Sequence, residues 1–155
     1  LKARLSKPNI LLIGKTGAGK SSLVNAVFGK SFAATGSGEP VTKHLTRYAP
    51  EEESVVVYDT RGLEHGNHEL FIEETVAFLK ETNSGPDLTL HIHVVWYVLD
   101  MSHSRFQAFE AELCRRLFAE IAIFFILNKV DTSSAAQVRS VTDSVLAARI
   151  PNCKG

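Results

Sequence analysis

The stretch NILLIGKTGAGKS, Asn9 to Ser21, decides how the rest of this chain is read. Asn9–Ile13 is a run of β-branched and aliphatic residues short enough for a buried strand. Gly14-Lys15-Thr16-Gly17-Ala18-Gly19-Lys20-Ser21 fits G-x-x-x-x-G-K-[ST]. Behind it, Lys20–Phe28 places Leu23, Val24, Val27 and Phe28 at helical spacing. Strand, glycine-rich loop and helix together form a phosphate cradle. The glycines let backbone N–H groups turn inward around phosphate oxygens, and the helix N-terminus adds its partial positive charge. Lys20 is placed to reach β- and γ-phosphates, and the Ser21 hydroxyl to ligate Mg2+. Thr16, Ala18 and Ser22 complete the residues expected around the phosphates.

Working outward, Ser31–Thr46 turns to Gly, Ser, Thr and one Pro, a long connection of a length that compact domains usually reserve for function. Thr42, just after Pro40, is the expected second hydroxyl for the metal, with Thr35 and Thr46 as alternatives. Leu45–Ala49 reads as a short edge strand and Ser54–Asp59 as a strand proper. At the end of the latter, Asp59-Thr60-Arg61-Gly62 offers a carboxylate that can hold Mg2+ through water and a glycine that lets the backbone approach a γ-phosphate. Lys20, Thr42 and Gly62 form the expected catalytic set.

The remaining elements alternate. Glu69–Lys80, Arg105–Phe118 and Ala135–Ala148 have helical apolar stripes, while Leu90–Leu99 and Ile121–Leu127 are near-continuous apolar strands. This alternation is the sign of βαβ units on a mainly parallel sheet. Asn128-Lys129-Val130-Asp131 follows the last strand. A carboxylate at Asp131 can accept the ring N–H and exocyclic amine of guanine, an arrangement adenine does not offer. Asn128 would brace the loop, and the Lys129 stem would lie over the base. The competing reading makes Asp131 or Thr132 the N-cap of the next helix.

In this order, GKTGAGKS, a Thr-containing loop, DTRG and NKVD resemble the translation-factor-related small GTPases, nearest to the Era-like and septin/Toc-like groups. The resemblance covers nearly the whole chain. It implies a three-layer α/β P-loop NTPase G domain with strand order 2-3-1-4-5-6, binding of Mg2+ with GTP or GDP, and two switch segments near Ser31–Thr46 and Arg61–His68. Two departures stand out. Leu63 occupies the place of the Gln that orients the attacking water in Ras-like enzymes, and Gly17 the place of an Asn that holds K+ in some relatives. Slow intrinsic hydrolysis follows, with acceleration expected from a protein partner or self-association; Arg61, His65 and His68 are candidate substitutes. The sequence ends at Ile150-Pro151-Asn152-Cys153-Lys154-Gly155, so the family's last strand and helix are expected to be missing and a sheet flank open.

Length and composition agree with residues 1–155 forming a single G domain. Of 155 residues 45% are hydrophobic and 22% charged, which excludes a disordered or collagen-like chain. Lys+Arg and Asp+Glu are 17 each, so no net field draws in a nucleic acid. Two cysteines at no metal spacing argue for a reducing compartment, expected to be the cytoplasm. Membrane association is not evident, and the chain opens at Leu1 without Met, as an excised segment would. His91 and His93 are read as core or edge residues of a strand, Trp96 as core, and Arg115 and Arg116 with Glu110 and Glu112 as a solvated face. Rival functions are a small-molecule kinase, a binding module without hydrolysis, and a polymerising nucleotide-binding scaffold.

Overall fold

In the computed structural model, residues 7–29, 38–42, 45–49, 51, 54–63, 68–102 and 105–155 are described. Among the described residues six strands and four α-helices follow in the order β1 (Asn9–Gly14), α1 (Lys20–Phe28), β2 (Glu39–Thr42), β3 (Leu45–Tyr48), β4 (Val56–Thr60), α2 (His68–Asn83), β5 (Val94–Asp100), α3 (Ala108–Leu117), β6 (Ala122–Asn128) and α4 (Ala135–Ala147). The sheet order is β2-β3-β4-β1-β5-β6. β4, β1, β5 and β6 are mutually parallel, while β3 runs antiparallel to β4 and β2 antiparallel to β3.

Alternation along β1 divides the core. Leu11 and Ile13 face a cluster that takes in Ile72 and Leu79 of α2, Leu113 and Leu117 of α3, and Val141 and Val145 of α4. Leu12 faces the other way, with Val57 and Val98, against Val24 of α1. The sheet is therefore a middle layer, with three helices on one side and one on the other. All the loops that carry motifs leave the carboxyl ends of β1, β4 and β6, where ligands bind in such sheets.

Several expected boundaries move. Leu45–Tyr48 is flanked on both sides, and the edge belongs to β2, formed by residues read as loop. Pro40, which has no N–H to give, falls in that edge strand beside a register shift between Pro40 and Thr42. β5 begins at Val94, because a 3-10 turn at Leu88–Leu90 precedes it. His91 and His93 thus lie before the strand and act as braces. His93 Nδ1 accepts from Asn9 N at 2.9 Å and Nε2 donates to the Leu88 carbonyl at 3.0 Å, while His91 Nε2 meets the Gly85 carbonyl at 2.8 Å. Trp96 is half-buried and stacks on Phe28 of α1 at 6.1 Å. The flank of β6 is not bare: Ile123 N donates to Asn152 O, Lys154 N to Ile123 O and Phe125 N to Gly155 O, at 3.0, 2.9 and 2.7 Å. Among the described residues no helix is long and apolar enough to cross a membrane.

Candidate functional site

The loop between β1 and α1 turns on glycines. Gly17 and Gly19 have φ of 81° and 87°, a region where a Cβ costs about 1 kcal/mol or more. Gly19 is also pressed against Asn128, whose amide nitrogen would overlap any Cβ there. It forms the N-cap of α1 and, having no side chain, gives the first-turn N–H groups no capping acceptor of its own. This is the arrangement an anion can complete.

Lys20 opens α1 and is only 7% exposed. Its Nζ donates to the Gly14 carbonyl at 3.3 Å. Burial pushes the ammonium pKa down from its ordinary value, against the opposing pull of Asp59. Asp59 shows the converse: burial pushes its carboxyl up, against Lys20 and the Ser21 hydroxyl. Ser21 Oγ donates to Asp59 Oδ2 at 3.2 Å. The other oxygen, Oδ1, is buried with no hydrogen-bond partner among the described residues. An orphaned carboxylate oxygen beside a serine hydroxyl is a hard-oxygen donor set, which fits Mg2+. No three His, Cys, Asp or Glu among the described residues cluster as a metal cage, so a cation here would draw most ligands from phosphate and water.

Gly62 and Leu63 lock β4's end onto this loop. Gly62 has φ 105°, and a Cβ there would come within 2.9 Å of both Lys20 Nζ and Thr16 N. Leu63 N donates to Gly14 O at 3.1 Å and Thr16 N to Leu63 O at 3.4 Å. Leu63 itself is 2% exposed. The position of the expected water-orienting side chain is thus a core position. Arg61 is exposed, His68 stacks on Phe109 at 4.2 Å, and His65 lies outside the described residues.

Thr42 ends β2 and pairs with Leu45, which in turn pairs with Thr60 beside Asp59. Thr46 sits in β3 directly opposite Asp59; Thr35 lies outside the described residues. At the other end of the site, Asn128 Nδ2 donates to Ala18 O at 2.9 Å and Lys129 Nζ to Gly17 O at 2.9 Å. The two loops are sewn together. Asp131 is exposed and caps nothing in α4, because the N-cap is Ser134, whose Oγ accepts from Gln137 N at 3.2 Å. The carboxylate is left available to a ligand.

Of two further acidic residues, one went unread in the sequence and the other was misplaced. Asp100, at the end of β5 and in register with Asn128, accepts from Lys129 Nζ at 2.6 Å. Burial opposes its ionisation, but hydrogen bonds from Lys129 and Ser102 outweigh that and hold the carboxyl below the ordinary range. A carboxylate at the carboxyl end of a parallel strand was the available signal. Glu110 was assigned to a solvated face with Glu112, Arg115 and Arg116. Glu112 does pair with Arg115, and Arg116 with Glu69, but Glu110 is fully buried. It follows Phe106 by four and precedes Leu113 by three, which puts it on the apolar stripe.

The fold and this arrangement are those of a P-loop GTPase G domain: a glycine-rich loop before α1, a strand-end acid with an orphaned oxygen, and a separate exposed carboxylate after β6. The chain belongs to the 50S ribosome-binding GTPase family, whose model matches residues 9–129. Over 147 residues it is 27% identical to the tRNA modification GTPase MnmE of Azoarcus sp. (strain BH72). That match takes in 92% of this chain and 30% of the relative, so the chain spans under a third of its length. The crystal structure of Cdc11 from Saccharomyces cerevisiae shares the fold, with a TM-score of 0.52 and 15% identity over 90% of this chain and 60% of that one. As a member of that family the chain carries a GTP-binding GTPase domain, a kind of domain in which Mg2+ is usual.

Proposed function

We propose that this chain is a nucleotide switch that hydrolyses GTP slowly alone and faster beside a protein partner or a second copy. The burial of Leu63 carries the reading. In the place next to Gly62, where a polar side chain would steer the attacking water, an aliphatic one is turned into the core. Hydrolysis needs water to attack the γ-phosphorus while the bond to the β–γ bridging oxygen breaks, leaving GDP and phosphate. Lys20 would neutralise charge growing on the β- and γ-oxygens, and the phosphate-loop N–H groups would do the same. Ser21, Thr42 and Asp59 would hold Mg2+, which supplies further charge neutralisation on those oxygens when bound. Thr42 is favoured over Thr46 because β3 is paired on both sides, whereas β2 is the edge. Asp131 would select guanine, with Asn128 and Lys129 bracing the loop; Gly14, Thr16, Gly17, Ala18, Gly19 and Ser22 would surround the phosphates. Gly62, in contact range of Lys20, would pass loss of the γ-phosphate to the segment that follows.

Single-turnover GTP hydrolysis at rising chain concentration tests this. A slow rate at high dilution that climbs with concentration, in step with a GTP-dependent increase in mass, supports acceleration by a second copy. A slow rate at every concentration assigns the missing group to another protein. Fast, concentration-independent turnover would refute the proposal.

A further inference from the structure

Lys15, inside the phosphate loop, has its side chain turned away from the loop towards α3. Its Nζ donates to Glu110 Oε2 at 3.2 Å and to Gln107 Oε1 at 3.1 Å, and lies 5.5 Å from the centre of the Phe109 ring. Both carboxylate oxygens of Glu110 are engaged. Oε1 accepts from Tyr97 Oη at 2.9 Å, and Oε2 accepts from Gln107 N at 2.9 Å as well as from Lys15. The Lys15 side chain is 28% exposed and that of Glu110 0%. A carboxylate with no access to water is tolerable only with its charge and lone pairs answered, so the site has one good arrangement and Lys15 is required for it. The Lys15 backbone, meanwhile, anchors the loop, accepting from Ala18 N at 3.0 Å and bridging to Leu63.

We infer that Glu110 is a positioning residue for nucleotide binding: by clamping Lys15 it holds the phosphate loop in its binding shape and ties it to α3. This rests on the nucleotide reading above. The clamp also reaches the second switch segment, because Phe109, one residue before Glu110, carries His68, the first residue of α2, stacked at 4.2 Å with the rings 15° apart. Phosphate loop, α3 and the start of α2 are thereby joined through the Lys15–Glu110 ion pair and the His68–Phe109 stack.

The sign of a charge effect separates positioning from simple electrostatics. Glu110→Gln removes a negative charge near the phosphates, which by itself would tighten nucleotide binding. Loss of the clamp loosens it. The double variant Lys15→Met/Glu110→Gln leaves net charge unchanged and strands no buried ion, so it retains the fold even where the single variant does not. Release of fluorescent GDP is followed by stopped flow, and amide hydrogen exchange over residues 14–19 is followed in the nucleotide-free chain. Both variants are expected to release GDP about tenfold faster and to exchange those amides about tenfold faster. Arg116→Ala, which breaks an exposed α2–α3 pair, should stay within about twofold of the parent on both readouts. Release unchanged or slower in the double variant, with unaltered exchange, overturns the proposal. Should the parent chain bind no guanine nucleotide, the nucleotide reading fails, while the exchange measurement still decides whether Glu110 holds the loop.

Discussion

At the phosphate end of the site Lys20 is buried and Asp59 has one oxygen cut off from water, each with its pKa pushed towards the neutral form by desolvation. At the base end Asp131 stands exposed on a turn, and Lys129 is only half-buried and tied to Asp100. The phosphate end stores unfavourable burial that a polyanion and its cation would relieve. At the base end the one desolvated carboxylate, Asp100, is more than answered by its hydrogen bonds from Lys129 and Ser102, and the proposed site there would work by braced geometry. Substitutions at the first should therefore change both affinity and the stability of the empty chain, and substitution of the exposed Asp131 at the second affinity and selectivity alone.

The largest effect is expected from Lys20→Ala. Removing the cation proposed to face the β- and γ-phosphates should weaken GTP and GDP by at least about 100-fold in fluorescence titration. Asp131→Asn comes next: loss of a charge-assisted pair is worth about 2–3 kcal/mol, or about 30- to 150-fold, for guanine and should shift preference to xanthine nucleotides. Melting of the empty chain should be unaltered, which is where the comparison is sharpest.

Asp59→Asn should lower GTP affinity about tenfold in Mg2+ and remove its sensitivity to EDTA. The same substitution replaces a desolvated carboxylate, so the empty chain should melt no earlier than the parent by calorimetry. Earlier melting would break the contrast between the two ends. Asp100→Ala is the smallest, about fivefold in guanine affinity through a looser Lys129. Because the folded-state pKa of Asp100 is depressed, its contribution is present above the unfolded aspartate value of about 3.9. It is lost as pH falls through the lower folded value, so the parent and Asp100→Ala should converge in melting temperature only at that acid extreme.

Most of this site was legible because phosphate binding constrains backbone: Gly14, Gly17, Gly19 and Gly62 sit at fixed spacing from Lys20 and Asp59, and spacing is what a sequence displays. Asp100 and Glu110 escaped because their roles depend on which strand and helix ends meet, and that is decided by the sheet. Edge strand β2 escaped for a related reason, since its partner is a turn away and its own composition is that of a loop. Leu63 was read as a missing Gln, yet its backbone bridge and burial make it a core residue. Leu63→Gln would bury an amide at a cost of about 1–3 kcal/mol, so an unchanged hydrolysis rate in that variant must be judged beside its melting curve.

The most direct test titrates fluorescent GDP, XDP and ADP into the parent chain and Asp131→Asn, each with Mg2+ and with EDTA. The predicted result is GDP preferred over ADP by at least about 30-fold in the parent, weakened by EDTA, with Asp131→Asn preferring XDP. Equal affinity for GDP and ADP, or a variant that loses both alike, would contradict a guanine site at Asn128–Asp131.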